Sequence, residues 1–158
     1  MRTSQLIKKF CLIESKILQE LSTTWMLQRT TPDRQKKGRQ IQGTVNLVSV
    51  RPGTIVYSTS DYTQKIKLPI YYGISKNQFK RELQGDAKVW CSCPDFNFGG
   101  AAYILTKRDG IIPGRENTQK PTVRNPDEIG ALCKHLYSAI KQMRGKDSTR
   151  IYDLLHRH

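Results

Sequence analysis

The chain has 158 residues, 37% hydrophobic and 25% charged, and its 27 Lys and Arg outnumber 13 Asp and Glu for a net charge of +14. That length suits one domain able to bury roughly 68–70% of its unfolded surface. No apolar run approaches the ~18 residues of a membrane helix; stretches such as Val45–Val50 and Tyr71–Ile74 are only strand-sized.

The opening MRTSQLIKKFCLIESKILQE sets lysines and glutamates where the apolar centre of an export signal would lie, so secretion is not expected. From Ser4 to Leu21 the apolar residues Leu6, Ile7, Phe10, Cys11, Ile13, Ile17, Leu18 and Leu21 recur at three and four. That spacing predicts a helix with one broad apolar face, which needs the domain or another chain to pack on. Cys11 on that face reads as a small buried hydrophobe. The stretch from Thr30 to Gln42, TTPDRQKKGRQIQ, is polar. With Arg29 just before it, it brings together Arg29, Arg34, Lys36, Lys37 and Arg39. By composition it is a linker or basic arm.

From Gln42 the period changes to two. Thr44–Val50 and Thr54–Ser58 read as strands around an Arg51-Pro52-Gly53 turn, the signature of a hairpin. Ser60-Asp61 turns into a third strand at Gln64–Leu68, with Lys65 and Lys67 on the solvent side, and Pro69 ends it or marks an edge. Gln78–Leu83 predicts a short helix and Ala87–Trp90 a last strand leading into Cys91. Pro94 and Asp95 suit a first helical turn, Gly99-Gly100 weakens the middle of that helix, and Gly110 stops it. Residues 111–125 read as an excursion and Asn125–Glu128 as a turn. Gly130 then leads into a helix over Ala131–Met143 with Leu132, Leu136, Ile140 and Met143 on one face. The tail from Arg150 is a short amphipathic turn or helix.

The four cysteines are not placed like two disulfides. Cys91 and Cys93 lie two apart, and Cys133 is two before His135. In a reducing compartment such pairs read as metal ligands. Zinc binds sulfur at ~2.3 Å and nitrogen at ~2.0 Å in a tetrahedron, which sets two sulfurs about 3.8 Å apart. Residues i and i+2 at a strand end point the same way, so Cys91 and Cys93 can converge if the chain curls at Pro94. Two residues of a helix turn through about 200°. Cys133 is therefore expected in the entering turn and His135 in the first helical turn, with Lys134 pointing away. Four protein ligands would leave no open position, making a single zinc structural rather than catalytic.

The pattern Cys-x-Cys … Cys-x-His resembles the SWIM-type zinc finger. Val89–Phe96 (VWCSCPDF) looks like that family's strand and first ligand pair, and Gly130–Leu136 (GALCKHL) like its second pair opening a helix. The strands at Gly43–Val50 and Thr54–Tyr57 fit the hairpin before the first pair, so the resemblance covers residues 43–143. Such fingers are associated with DNA and protein binding. The 39 residues between Cys93 and Cys133 are more than is usual in them. With its Cys-Pro-Asp-Phe-Asn-Phe start and Asn-Pro turn, that insert is similar to small proteins encoded by tailed bacteriophages, which implies a virion component.

No pair of carboxylates, nucleophile and base, or phosphate loop suggests an enzyme. Asp95, Asp127 and Glu128 suit turns or caps, and His156 and His158 sit in a solvated tail. Tyr57, Tyr62, Tyr71, Tyr72, Arg51, Lys65 and Lys67 either form a basic, aromatic strand surface for single-stranded nucleic acid or pack across strands with lysines in water. The basic excess flanks the Cys/His region, residues 91–140 carrying only +1, and favours an anionic partner.

These readings define an α+β chain: an N-terminal docking helix over 1–28, a basic arm over 29–42, a SWIM-like zinc-binding domain over 43–143 and a tail over 144–158. The expected role is a non-catalytic, zinc-stabilised structural protein of a large assembly, a phage virion, docking on neighbouring chains. The alternative is a nucleic-acid-binding module using Arg29, Arg34, Lys36, Lys37 and Arg39. Neither a membrane nor a small-molecule substrate is expected.

Overall fold

The structure, a computed structural model, describes residues 22–98, 101–107, 110–116 and 131–157. The expected helix over Ser4–Leu21 with Cys11, the Gly99-Gly100 pair, the Asn125–Glu128 turn, the Gly130 lead-in and His158 lie outside them. The described chain is a mixed α+β fold. Helices α1 (Thr23–Arg29) and α2 (Pro32–Gln40) precede strands β1 (Val45–Arg51), β2 (Thr54–Thr59) and β3 (Tyr62–Lys67). Helix α3 (Lys76–Gln84), strand β4 (Lys88–Cys91) and helices α4 (Pro94–Phe98) and α5 (Ala101–Lys107) follow, and α6 (Lys134–Arg144) and α7 (Ser148–Leu154) close the order. No described helix is long and apolar enough to cross a membrane.

The strands form one antiparallel sheet in the order β1-β2-β3-β4. At the first turn Gly53 takes φ +80° directly after Pro52, a conformation open to glycine at little cost. The β2 residues Ile55, Tyr57 and Thr59 and the β3 residues Gln64 and Ile66 are buried. Lys65 and Lys67 alternate to the other face, and β3 ends before Pro69, as expected. Strand β1 is the edge, with a bulge between Leu47 and Ser49 that leaves Val48 60% exposed. Beyond β4, the Val89 amide donates to Gly110 O (2.9 Å) and the Ile112 amide to Val89 O (3.2 Å), so residues 110–112 cover that edge.

Helix α6 lies on the inner face and touches β1, β3 and β4 as well as α1, α2, α3 and α7. Leu132, Leu136, Ile140 and Met143 are fully buried, and so are Ser138 and Ala139. The predicted single stripe is thus a helix enclosed nearly all round. Its Gln142 amide donates to Val45 O (2.9 Å) and to Asp147 Oδ2 (2.7 Å). The buried Tyr57 hydroxyl donates to the same carboxylate (3.0 Å). Burial first, then that carboxylate, raises its pKa, so the phenol stays a donor.

The segment read as a linker is instead a helix, and this corrects the basic-arm assignment. Thr31 Oγ1 accepts the Arg34 amide (3.4 Å), Pro32 occupies the first turn and Asp33 follows it. These are three standard start signals that the polar composition obscured. The helix packs on α6. Gly38 sits at the crossing, where an added Cβ would stand 2.6 Å from Tyr137 Cδ1 and 3.1 Å from Lys134 O. Of the 1–28 unit the described part is α1, whose start is capped by Ser22 Oγ accepting the Trp25 amide (3.0 Å). Thr23 then ties that helix to α3 through Leu83 O (2.6 Å) and Gly85 O (3.0 Å).

The crossing yields a test. Alanine is a better helix former than glycine by ~1 kcal/mol, yet Gly38→Ala should destabilise the protein by about 1–3 kcal/mol through overpacking. Lys36→Ala, on the exposed face of the same helix, should stay within about 0.5 kcal/mol of wild type in the same urea titration.

Candidate metal centre

Strand pairing sets the first two ligands. Cys91 ends β4 opposite Gln64, and the pairing runs one residue further. The Ser92 amide donates to Thr63 O (3.0 Å), and the Thr63 amide donates to Ser92 Oγ (2.9 Å). Ser92 is thereby held outward and its two neighbours turn inward together. The Asn97 side-chain amide, one turn into α4, donates to both Cys91 O (3.0 Å) and Cys93 O (2.9 Å), fixing the curl.

Helix starts set the other half. Cys133 is the N-cap of α6, its sulfur accepting the Leu136 amide (3.4 Å). His135 is in the first turn, where the spacing argument put it. Cys93 stands in the same relation to α4, its sulfur accepting the Phe96 amide (3.3 Å). Two helix N-termini, the ends that favour negative charge, thus offer N–H groups to sulfur. The third sulfur, on Cys91, accepts from Gln64 Nε2 (3.5 Å), which also donates to Thr59 Oγ1 (3.0 Å).

The result is one cluster. The ligand atoms of Cys91, Cys93, Cys133 and His135 all lie within 4.8 Å of one another, about 1 Å wider than the sulfur spacing around a tetrahedral ion. The cysteines are at most 1% exposed and His135 is 9% exposed. The His135 ring lies against Tyr62, centroids 5.1 Å apart, and its buried Nδ1 has no hydrogen-bond partner. No disulfide joins the three thiols. These four residues can hold a metal ion: soft donors, buried, convergent, and including an imidazole whose polar edge the protein leaves unmatched.

Electrostatics supports the same reading. Hydrogen bonds from Cys133, then Cys91, and further ones from His135 and the Phe96 amide, hold Cys93 far below the ordinary thiol range. Cys133 draws Cys91 down, but hydrogen bonding with Cys93, burial and the Cys93 charge outweigh it and push Cys91 up to about 12. Burial, then Cys91 and Cys93, raise Cys133 well above its usual value. Burial and the neighbouring sulfurs thus oppose charge on Cys91 and Cys133, an opposition that a bound dication would relieve.

Among the remaining sequence candidates, Arg34 is not available as a phosphate contact. Its guanidinium makes a bidentate pair with Asp95, Nε to Oδ2 at 2.9 Å and Nη2 to Oδ1 at 2.8 Å, which fastens α2 to the first turn after Cys93. Lys37 pairs with Asp33 on the helix surface (3.1 Å). Arg29, Lys36 and Arg39 are exposed. Of the two arrangements open to the tyrosines, inward packing holds for the strand residues: Tyr57 faces the core and Tyr62 faces His135, while Tyr71 and Tyr72 are exposed beyond β3. His156 stacks on Tyr152 at 4.1 Å and bonds its carbonyl (2.7 Å). Sequence reading missed Gln64 and Asn97. Gln64 had a signal, being polar on the apolar side of a strand; Asn97 had none.

In comparisons with protein families, curated proteins and solved structures, the chain has no match.

Two outcomes follow from this geometry. Because Cys91 and Cys133 hold their protons at neutral pH, metal uptake must displace them, so affinity should rise with pH. Calorimetric titrations in buffers of different ionisation enthalpy should report net proton release on metal binding. Asn97→Ala should weaken metal binding by roughly 10–100-fold, as lost outer-sphere support does, with the far-UV spectrum of the metal-loaded protein unchanged.

Proposed function

We propose that the cluster holds one zinc ion and that its role is structural. The observation that carries this reading is the convergence of three sulfurs and one imidazole from a strand end and two helix starts within 4.8 Å. Three thiolates and a nitrogen suit zinc's borderline softness and lack of geometric demand. Four protein ligands close the tetrahedron, so no position remains to activate water. The resemblance of the two ligand blocks to SWIM-type fingers supports the same metal and the same closed set. Zinc binding of this kind is worth an apparent ~10–16 kcal/mol, comparable with the whole stability of an ordinary domain.

We infer further that the protein is a non-catalytic component of a large assembly, the particle of a tailed phage, held together in part by its zinc. The likeness of the Cys-Pro-Asp-Phe-Asn-Phe block to phage proteins supports this. So do the exposed Arg29, Lys36 and Arg39 near and on α2, and the amphipathic sequence of Ser4–Leu21, as surfaces for neighbouring chains.

Metal analysis of the purified chain should give one zinc per molecule, and Cys133→Ser should abolish it. Chelation should lower the melting temperature and alter the far-UV spectrum as α4 and the start of α6 loosen. An identical melting curve with and without chelator overturns the zinc reading. For the assembly role, lysine cross-linking of intact particles should join Lys36 or Lys37 to another chain; only intrachain products would count against it.

A further inference from the structure

A cleft between α3 and α7 brings together cations that the fold leaves unmatched. On α3, Lys76, Phe79, Lys80 and Leu83 stand at the spacing of one helix face, and all four line the cleft. The facing wall comes from Arg144, the last residue of α6, and from α7. Phe79 and Leu83 are buried and give it an apolar floor. The Phe79 ring meets that of Tyr152 on α7, centroids 5.5 Å apart. The cleft holds about 380 Å³, within the ~300–1,000 Å³ usual for small-molecule sites. Its charge is unbalanced. Arg144 is half-buried, and burial lowers its pKa with no neighbouring charge to offset the cost. Among the described residues no ion pair joins Lys76, Lys80 or Arg144 to a carboxylate. Asp153 is the only acidic side chain described in the lining, and it pairs with none of the three.

A partly desolvated cation ordinarily has a counter-ion, and here a ligand can supply it. We propose that the cleft binds a small phosphate ester of the sugar-phosphate class, its phosphate against Lys76, Lys80 and Arg144 and its carbon body over Phe79 and Leu83. Three cations suit a group carrying about −1.5 to −2 charges better than a single carboxylate, and a guanidinium fork matches phosphate oxygens two at a time. The Tyr152 ring is already flanked by Phe79 and by His156, the latter at 4.1 Å, so no free aromatic face invites a nucleobase. Thr149, Gln84 and Asp153, also in the lining, supply polar groups for hydroxyls instead. Sequence reading expected no small molecule, since Arg144 joins the two lysines only in the folded chain. The site is separate from the metal cluster, which lies at the other end of α6, about 15 Å along the helix.

The test is calorimetric titration of the full chain with glucose 6-phosphate at about 0.15 M salt, where diffuse surface attraction is screened. One molecule should bind per chain with Kd below about 1 mM. Glucose and inorganic phosphate, each holding part of the ligand's chemistry, should bind about tenfold more weakly or worse. Lys76→Gln with Lys80→Gln should weaken binding roughly 10–100-fold, the worth of charge-assisted hydrogen bonds. Arg144→Lys keeps the charge that favours the C-terminal end of α6 but loses the fork, and should still cost about tenfold. An arginine that merely steadied its helix would tolerate that change. Lys36→Gln on α2 should leave the affinity as it is. Absence of saturable binding, equal binding of inorganic phosphate, unchanged affinity in the Arg144 variant, or tighter binding of a phosphoserine peptide would overturn the proposal. The melting temperature of each variant, measured alongside, separates lost affinity from lost folding.

Discussion

Three thiols and an imidazole cannot share so small a buried volume comfortably on their own. Cys93 is held down while burial and the neighbouring sulfurs push Cys91 and Cys133 up, and the buried Nδ1 of the imidazole meets no partner. A divalent cation resolves all of these costs together. The surrounding structure is arranged around that demand: β4 ends at Cys91, α4 begins after Cys93 and α6 begins after Cys133. Sulfur replaces the usual hydroxyl as the capping group at two helix starts, so the same atoms that face a metal also begin the elements carrying them.

The rest of the molecule is fastened to this point. Helix α6 runs from the cluster along the inner face of the sheet and is enclosed by most other helices, while Gln142 at its far end secures the first residue of β1. Helix α2 is held at one end by Arg34 against Asp95, two residues from Cys93, and at the other by the glycine contact with α6. A segment rich in basic side chains is thus part of the body of the protein, with only one side of its helix given to solvent.

Much of this was legible in the residues. The period-two pattern located all four strands, the Pro52-Gly53 turn joined the first two, and the i, i+2 pairs named the four converging side chains. Helix periodicity gave α6, although its start at Lys134 depended on Cys133 acting as a cap. What escaped did so for definite reasons. Net polarity outweighed the Thr31-Pro32-Asp33 start of α2, because a helix buried by one glycine and one arginine leaves little apolar signal. By type alone the tyrosines left a surface and cross-strand packing both open; alternation turned Tyr57 and Tyr62 inward, and β3 ended before Tyr71. Asn97 bonds two carbonyls, and backbone groups cast no shadow in a sequence.

The bulge in β1 bears on how the protein behaves at high concentration. A free strand edge is a template on which another copy's backbone can assemble. Here the first carbonyl of that edge is already taken by Gln142, and the extra residue at Val48 breaks the row of donors and acceptors before it can run its length. Residues 110–112 occupy the opposite border. The sheet therefore offers no uninterrupted ladder for intermolecular β-pairing, which favours remaining unaggregated even when many copies are crowded together.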